Sequence, residues 1–138
     1  MRRVVDRPVM LTGNVSPDGR WITGWSGVEA AGWQAFSLDG GAPRLLGNTR
    51  NATAWQWSAR GDGMVFHSEL EGSTYLVPVA AGEMFPPFPR EGLHSERDVA
   101  ALPGARKIEG GAVPGPSPDV YAFHRQTMQR NLHRIPIR

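Results

Sequence analysis

Short runs of alternating apolar and polar residues dominate the chain, and clusters of turn-forming residues separate them. Trp21, Thr23 and Trp25 fall on one side of such a run, with Arg20 and Ile22 on the other, the period of two that a half-buried strand requires. Ser16-Pro17-Asp18-Gly19 precedes it and reads as a compact turn. Pro17 presets φ, Asp18 has a side chain short enough to bond its own backbone, and Gly19 accepts a positive φ. A second alternating strand follows from Trp33 to Leu38. Asp39-Gly40-Gly41 then makes a hairpin turn, and Pro43 to Leu46 a short outer strand.

The same order recurs. Ala54 to Ser58 repeats the strand leading into the turn, and Ala59-Arg60-Gly61-Asp62-Gly63 repeats the turn, read here with one residue inserted. Met64 to Ser68 and Ser73 to Val79 repeat the next two strands, and Ala80-Ala81-Gly82 stands where Asp39-Gly40-Gly41 stood. Ser16 and Ser58 are 42 positions apart (58 − 16). A third copy is expected at Pro116-Ser117-Pro118-Asp119, with strands over Val120 to His124 and Asn131 to Ile137. On this reading Ser16, Pro17, Asp18, Gly19, Asp62, Gly63 and Asp119 are structural turn residues, with the three aspartates at equivalent positions. A unit of 40–45 residues with four short strands is the period of a β-propeller blade.

Between the second and third copies the spacing lengthens. Ser95 to Leu102 reads as a short helix, with Ser95 as N-cap, acidic residues in the first turn and Pro103-Gly104 as its stop. Pro86-Pro87-Phe88-Pro89 ahead of it reads as an extended connector. The expectation is therefore one all-β domain over residues 1–138, built of about three four-stranded antiparallel blades. Blade 1 covers about 12–47, blade 2 about 53–90, a helical insertion about 91–110 and blade 3 about 111–138. A strand at 3–11 is available to complete the last blade. The 17 glycines and 12 prolines agree with many short strands joined by turns.

The turn-and-strand unit resembles the repeat of TolB-like propellers. The resemblance rests on Ser16-Pro17-Asp18-Gly19-Arg20-Trp21-Ile22, on Phe36 to Gly41 and on Pro43 to Leu46. The closing stretch, Pro118 to Phe123 with Gln129 to Pro136, is similar to the C-terminal propeller segment of bacterial proteins that carry a kinase or a regulatory domain. Together these stretches cover most of residues 13–137. Propellers of that family generally have six blades, so the resemblance implies that three blades here join three more. Those come from a second chain, giving a homodimeric ring, or from the rest of a longer polypeptide. A run left open would expose apolar blade faces and sheet edges.

Composition and charge narrow the chemistry. With 20% charged and 40% hydrophobic residues the chain is globular, and no run approaches the length of a membrane span. Asp6, Arg7 and Pro8 interrupt the apolar stretch that a signal peptide needs. A bacterial cytoplasmic setting is one expectation, and the periplasm another for a longer parent protein. The arginines are scattered and Lys107 is the sole lysine, which argues against the basic stripe of a nucleic-acid binder. Without cysteine there is neither a disulfide nor a thiolate metal site.

No catalytic constellation is legible. Gly24-Trp25-Ser26-Gly27-Val28 has valine where a nucleophile elbow needs its last glycine. The four histidines have no metal-ligand spacing, and the turn aspartates are read as backbone caps rather than calcium ligands. The tryptophans are read as packing between blades rather than as a stacking platform. The expectation is a non-enzymatic interaction or sensing module without cofactor or metal, binding a protein, peptide or small ligand through its loop face or channel. The alternative is the noncatalytic propeller portion of a larger enzyme, kinase-linked or peptidase. Loops at one end of the blades supply the candidate contacts Glu29, Arg50, Asn51, His67, Glu69 and Arg125.

Overall fold

The computed structural model describes residues 9–27, 32–47, 52–68, 72–115 and 120–123. Strand alternation and turns build an all-β chain. The first sheet is four-stranded and antiparallel in the order β1 (Val9–Val15), β2 (Trp21–Ser26), β3 (Gly32–Ser37) and β4 (Arg44–Gly47). The second repeats that order with β5 (Ala52–Trp57), β6 (Gly63–Ser68), β7 (Ser73–Pro78) and β8 (Arg106–Glu109). A third sheet pairs β9 (Ala112–Pro114) with β10 (Tyr121–Phe123). The single helix among the described residues, α1 (Glu96–Ala100), has the expected N-cap. The Ser95 side chain accepts from the Asp98 amide, and Asp98 reciprocates in a capping box. No helix among the described residues is long and apolar enough to cross a membrane.

Backbone bonds define which residues of the units correspond. In the first turn the Ser16 amide donates to the Trp21 carbonyl at 2.9 Å, and the Gly19 amide to the Ser16 carbonyl at 2.8 Å. In the second, Ser58 donates to Gly63 at 2.8 Å and Gly61 to Ser58 at 3.0 Å. Gly19 and Gly61 have φ of 72° and 76°. The two turns therefore have the same length, and the expected extra residue is absent. Asp62 corresponds to Arg20 and Arg60 to Asp18, so the aspartates are not equivalent. What the turns share is the serine: its hydroxyl donates to an aspartate and accepts from the amide that opens the outgoing strand. The third hairpin closes with the Gly115 amide on the Val120 carbonyl at 2.8 Å, which puts Gly115 in the place of Ser16 and Ser58. Asp119 lies outside the described residues.

Two strands fall differently from the sequence reading. Val9–Val15 pairs with β2 as the edge of the first sheet, instead of part of it completing the last unit; residues 3–8 lie outside the described residues. Arg106–Glu109, expected inside an insertion, pairs with β7 as the fourth strand of the second sheet. The helix thus lies within the long β7–β8 connection. Docking of that connection explains the detour, since Phe85, Phe88, Leu93, Val99 and Leu102 are all buried in the core.

Alternation and register fix how the sheets meet. Trp21, Thr23 and Trp25 share a face with their partners Ser37, Ala35 and Trp33. On the second sheet Trp55 and Trp57 share a face with their partners Phe66 and Met64. Those two faces converge on one core. The Phe85 ring lies 5.2 Å from Trp21 and 5.6 Å from Trp57, both edge-on, and Phe88 lies 5.1 Å from Trp55. Trp33 and Trp55 are fully buried and Trp57 nearly so, and half-buried Trp21 and Trp25 pack against that core. By the turn correspondence, Trp21, Thr23 and Trp25 match Gly63, Val65 and His67, which lie on the opposite face of the second sheet. The sheets are therefore stacked head to tail, with non-equivalent faces in contact.

Candidate binding surfaces

The seam between the sheets is held by polar groups that complete a neighbour's backbone. Asn14 pairs with the Trp57 backbone twice: its carboxamide donates to the Trp57 carbonyl at 2.8 Å and accepts from the Trp57 amide at 2.9 Å. Thr23 donates to the Trp55 carbonyl at 2.6 Å. The register of β1 against β2 shifts between Thr12 and Val15, so a bulge at Gly13-Asn14 aims the Asn14 carboxamide at β5. Gly13 must be bare here, because a Cβ would collide with the Thr23 hydroxyl and lie 2.6 Å from the Trp55 carbonyl.

A threonine serves the next seam too. Thr74, on the other face of the second sheet, donates to the Gly110 carbonyl and accepts from the Ala112 amide, both at 2.9 Å. His67 is the one proposed contact residue among the described positions, and it belongs to this junction. It is half-buried, with Nδ1 2.9 Å from the Thr74 hydroxyl. Glu29, Arg50, Asn51, Glu69 and Arg125 lie outside the described residues, so their mutual placement is not part of the fold described. Asn14, Thr23 and Thr74 escape a sequence reading because a strand asparagine or threonine looks the same whether it faces water or a neighbouring sheet.

The turn residues are arranged as caps. Asp18 accepts from the Ser16 hydroxyl at 2.5 Å and from the Arg20 amide at 3.0 Å. The Ser16 hydroxyl holds the Asp18 carboxyl below the ordinary aspartate value, desolvation working against it and the Arg20 amide adding to it. Arg20 forms an exposed ion pair with Asp39 at 2.8 Å, which raises its own pKa. Asp98 is lowered by the His94 amide first, with the Ser95 cap contributing. Beside α1, Glu96 receives the Ser68 hydroxyl and, at 3.2 Å, the Tyr75 phenol, tying the helix to the second sheet. Among the described residues no three His, Asp or Glu side chains cluster as a metal site would require.

Among the described residues, two of the open clefts border the turns and the edge of the first sheet. One of about 530 Å³ lies between the first two turns, lined by Asp18, Arg60, Asp62 and the 79–84 segment. Its mixed charges offer no single ligand chemistry. The other, about 500 Å³, is lined by Pro43, Arg44 and Leu45 on one side and Phe88, Pro89 and Arg90 on the other. The chain matches no family model, no curated protein and no solved structure in comparisons with each.

Proposed function

We propose that this chain is a non-enzymatic binding module of the β-propeller kind, in which three blades per chain close a six-bladed ring with a second copy. The supporting observation is the sense of stacking. Each seam joins one face of a sheet to the non-equivalent face of the next, through a threonine that bonds the incoming strand. A head-to-tail contact either closes into a ring or continues as an open array. The two ends of the stack carry the exposed apolar residues that such a closure would cover. Val15, paired with Ile22, is exposed on the outward face of the first sheet, and Val113, paired with Ala122, on the outward face of the third hairpin. Exposed apolar residues on both outward faces of a repeat array favour a contact there. In such a ring the loops at one end and the central channel carry ligand contacts. Glu29, Arg50, Asn51, His67, Glu69 and Arg125 remain the proposed contacts, His67 through its junction position.

Val113 is 67% exposed and lies on the face opposite buried Ala112, so Val113→Glu leaves the described core untouched while charging one end of the stack. The wild type is expected to sediment as a dimer and the variant as a monomer. Equal sedimentation of the two would exclude closure through this end.

A further inference from the structure

We infer that the cleft between β4 and the proline-rich segment is a binding site for an extended peptide carrying acidic side chains. β4 is the outer edge of the first sheet, where strand backbone is open to pairing. Among the described residues its outer side is bonded only at one end. There the Leu93 amide donates to the Leu46 carbonyl at 3.0 Å, and Gly47 forms an isolated parallel bridge with Leu93. Toward the start of the strand the two segments diverge, and the cleft of about 500 Å³ opens between them. Pro43 and Pro89, one on each rim, have no amide to donate across the cleft.

The side chains supply the specificity. Arg44 and Arg90, one on each side, are both exposed, and neither has an ion-pair partner among the described residues. Arg44 is held in place by stacking, its guanidinium carbon 4.6 Å from the centre of the Phe85 ring. A guanidinium anchored on an aromatic face keeps its N–H donors available to a carboxylate. Leu45 and Phe88 give the cleft an apolar component between the charges. Open strand edge, flanking cations and an apolar strip together suit a strand-like peptide that alternates acidic and apolar residues. The inference does not require the ring to close, since the cleft lies within one chain.

The test is titration of the full chain with a short capped peptide alternating glutamate and valine, followed by amide chemical shifts. Perturbations are expected at Arg44, Leu45, Phe88 and Arg90, with affinity falling as salt rises. Arg44→Gln with Arg90→Gln is expected to weaken binding about tenfold, the scale of one or two charge-assisted bonds. Arg20→Gln, which alters an exposed arginine elsewhere, should bind as wild type. An unchanged thermal midpoint for the double variant shows that the fold survives; if it shifts, Arg44→Lys with Arg90→Lys, retaining charge, should restore part of the affinity. Binding indifferent to the double substitution overturns the inference. So does equal affinity for the same peptide with lysine in place of glutamate, or full competition by inorganic phosphate at the peptide's own concentration.

Discussion

Gly13 and Asn14 carry more of the architecture than their residue types suggest. Together they let β1 approach β5 closely and then satisfy the Trp57 backbone from a side chain. Asn14→Ala strips partners from a part-buried amide and carbonyl and should cost about 1–3 kcal/mol, measured by urea unfolding. A loss indistinguishable from zero would mean that water replaces the carboxamide. The two central tryptophans differ in one atom's fate. Trp57 Nε1 donates to the Met84 carbonyl at 2.8 Å, whereas Trp55 Nε1 is buried without a hydrogen-bond partner among the described residues. Trp57→Phe should therefore destabilise more than Trp55→Phe by about 1 kcal/mol, because only the first breaks a bond. The reverse order in matched unfolding curves would refute that assignment. None of these distinctions is legible in the sequence, where Trp55 and Trp57 are simply two apolar positions two residues apart.

The turns and strands were more open to sequence reading than the residues between them. Ser16-Pro17-Asp18-Gly19 announces a turn because each residue type has a local reason to be there, and Ser95 announces a helix start for the same reason. The second turn misleads because its aspartate has moved from the second residue after the serine to the fourth. Aligning on aspartate creates an insertion that the backbone bonds remove. β8 was invisible as part of the second sheet, since a long connection returns to β7 and only tertiary contacts fix its place. The caps make an acid-side prediction. Asp18 and Asp98 have folded-state values below the ordinary 3.8, so their stabilising bonds are fully present above that value. The contribution is lost as pH falls through the lowered folded values. Stability should fall below about pH 4, and Asp18→Asn with Asp98→Asn should flatten that part of the curve. A thermal midpoint whose acid dependence is unchanged in the double variant would assign the loss to other carboxylates.

At the scale of the whole molecule, the period in the sequence foretold repeated antiparallel sheets, and those are present. How the sheets face one another depends on which side of each strand meets a neighbour, and alternation alone leaves both choices open. Thr23 and Thr74 make that choice visible: each stands on the forward face of its sheet and bonds the next incoming strand. The array is thereby directional, with apolar residues exposed on β1 and on the third hairpin. Ring closure by a second copy is the proposal that accounts for both features. Its most direct test is the mass of the wild-type chain in solution by light scattering over a range of concentrations. Ring closure by two copies predicts a monodisperse species of twice the 15.1 kDa chain mass. A monodisperse species at the chain mass itself, across that range, would contradict it.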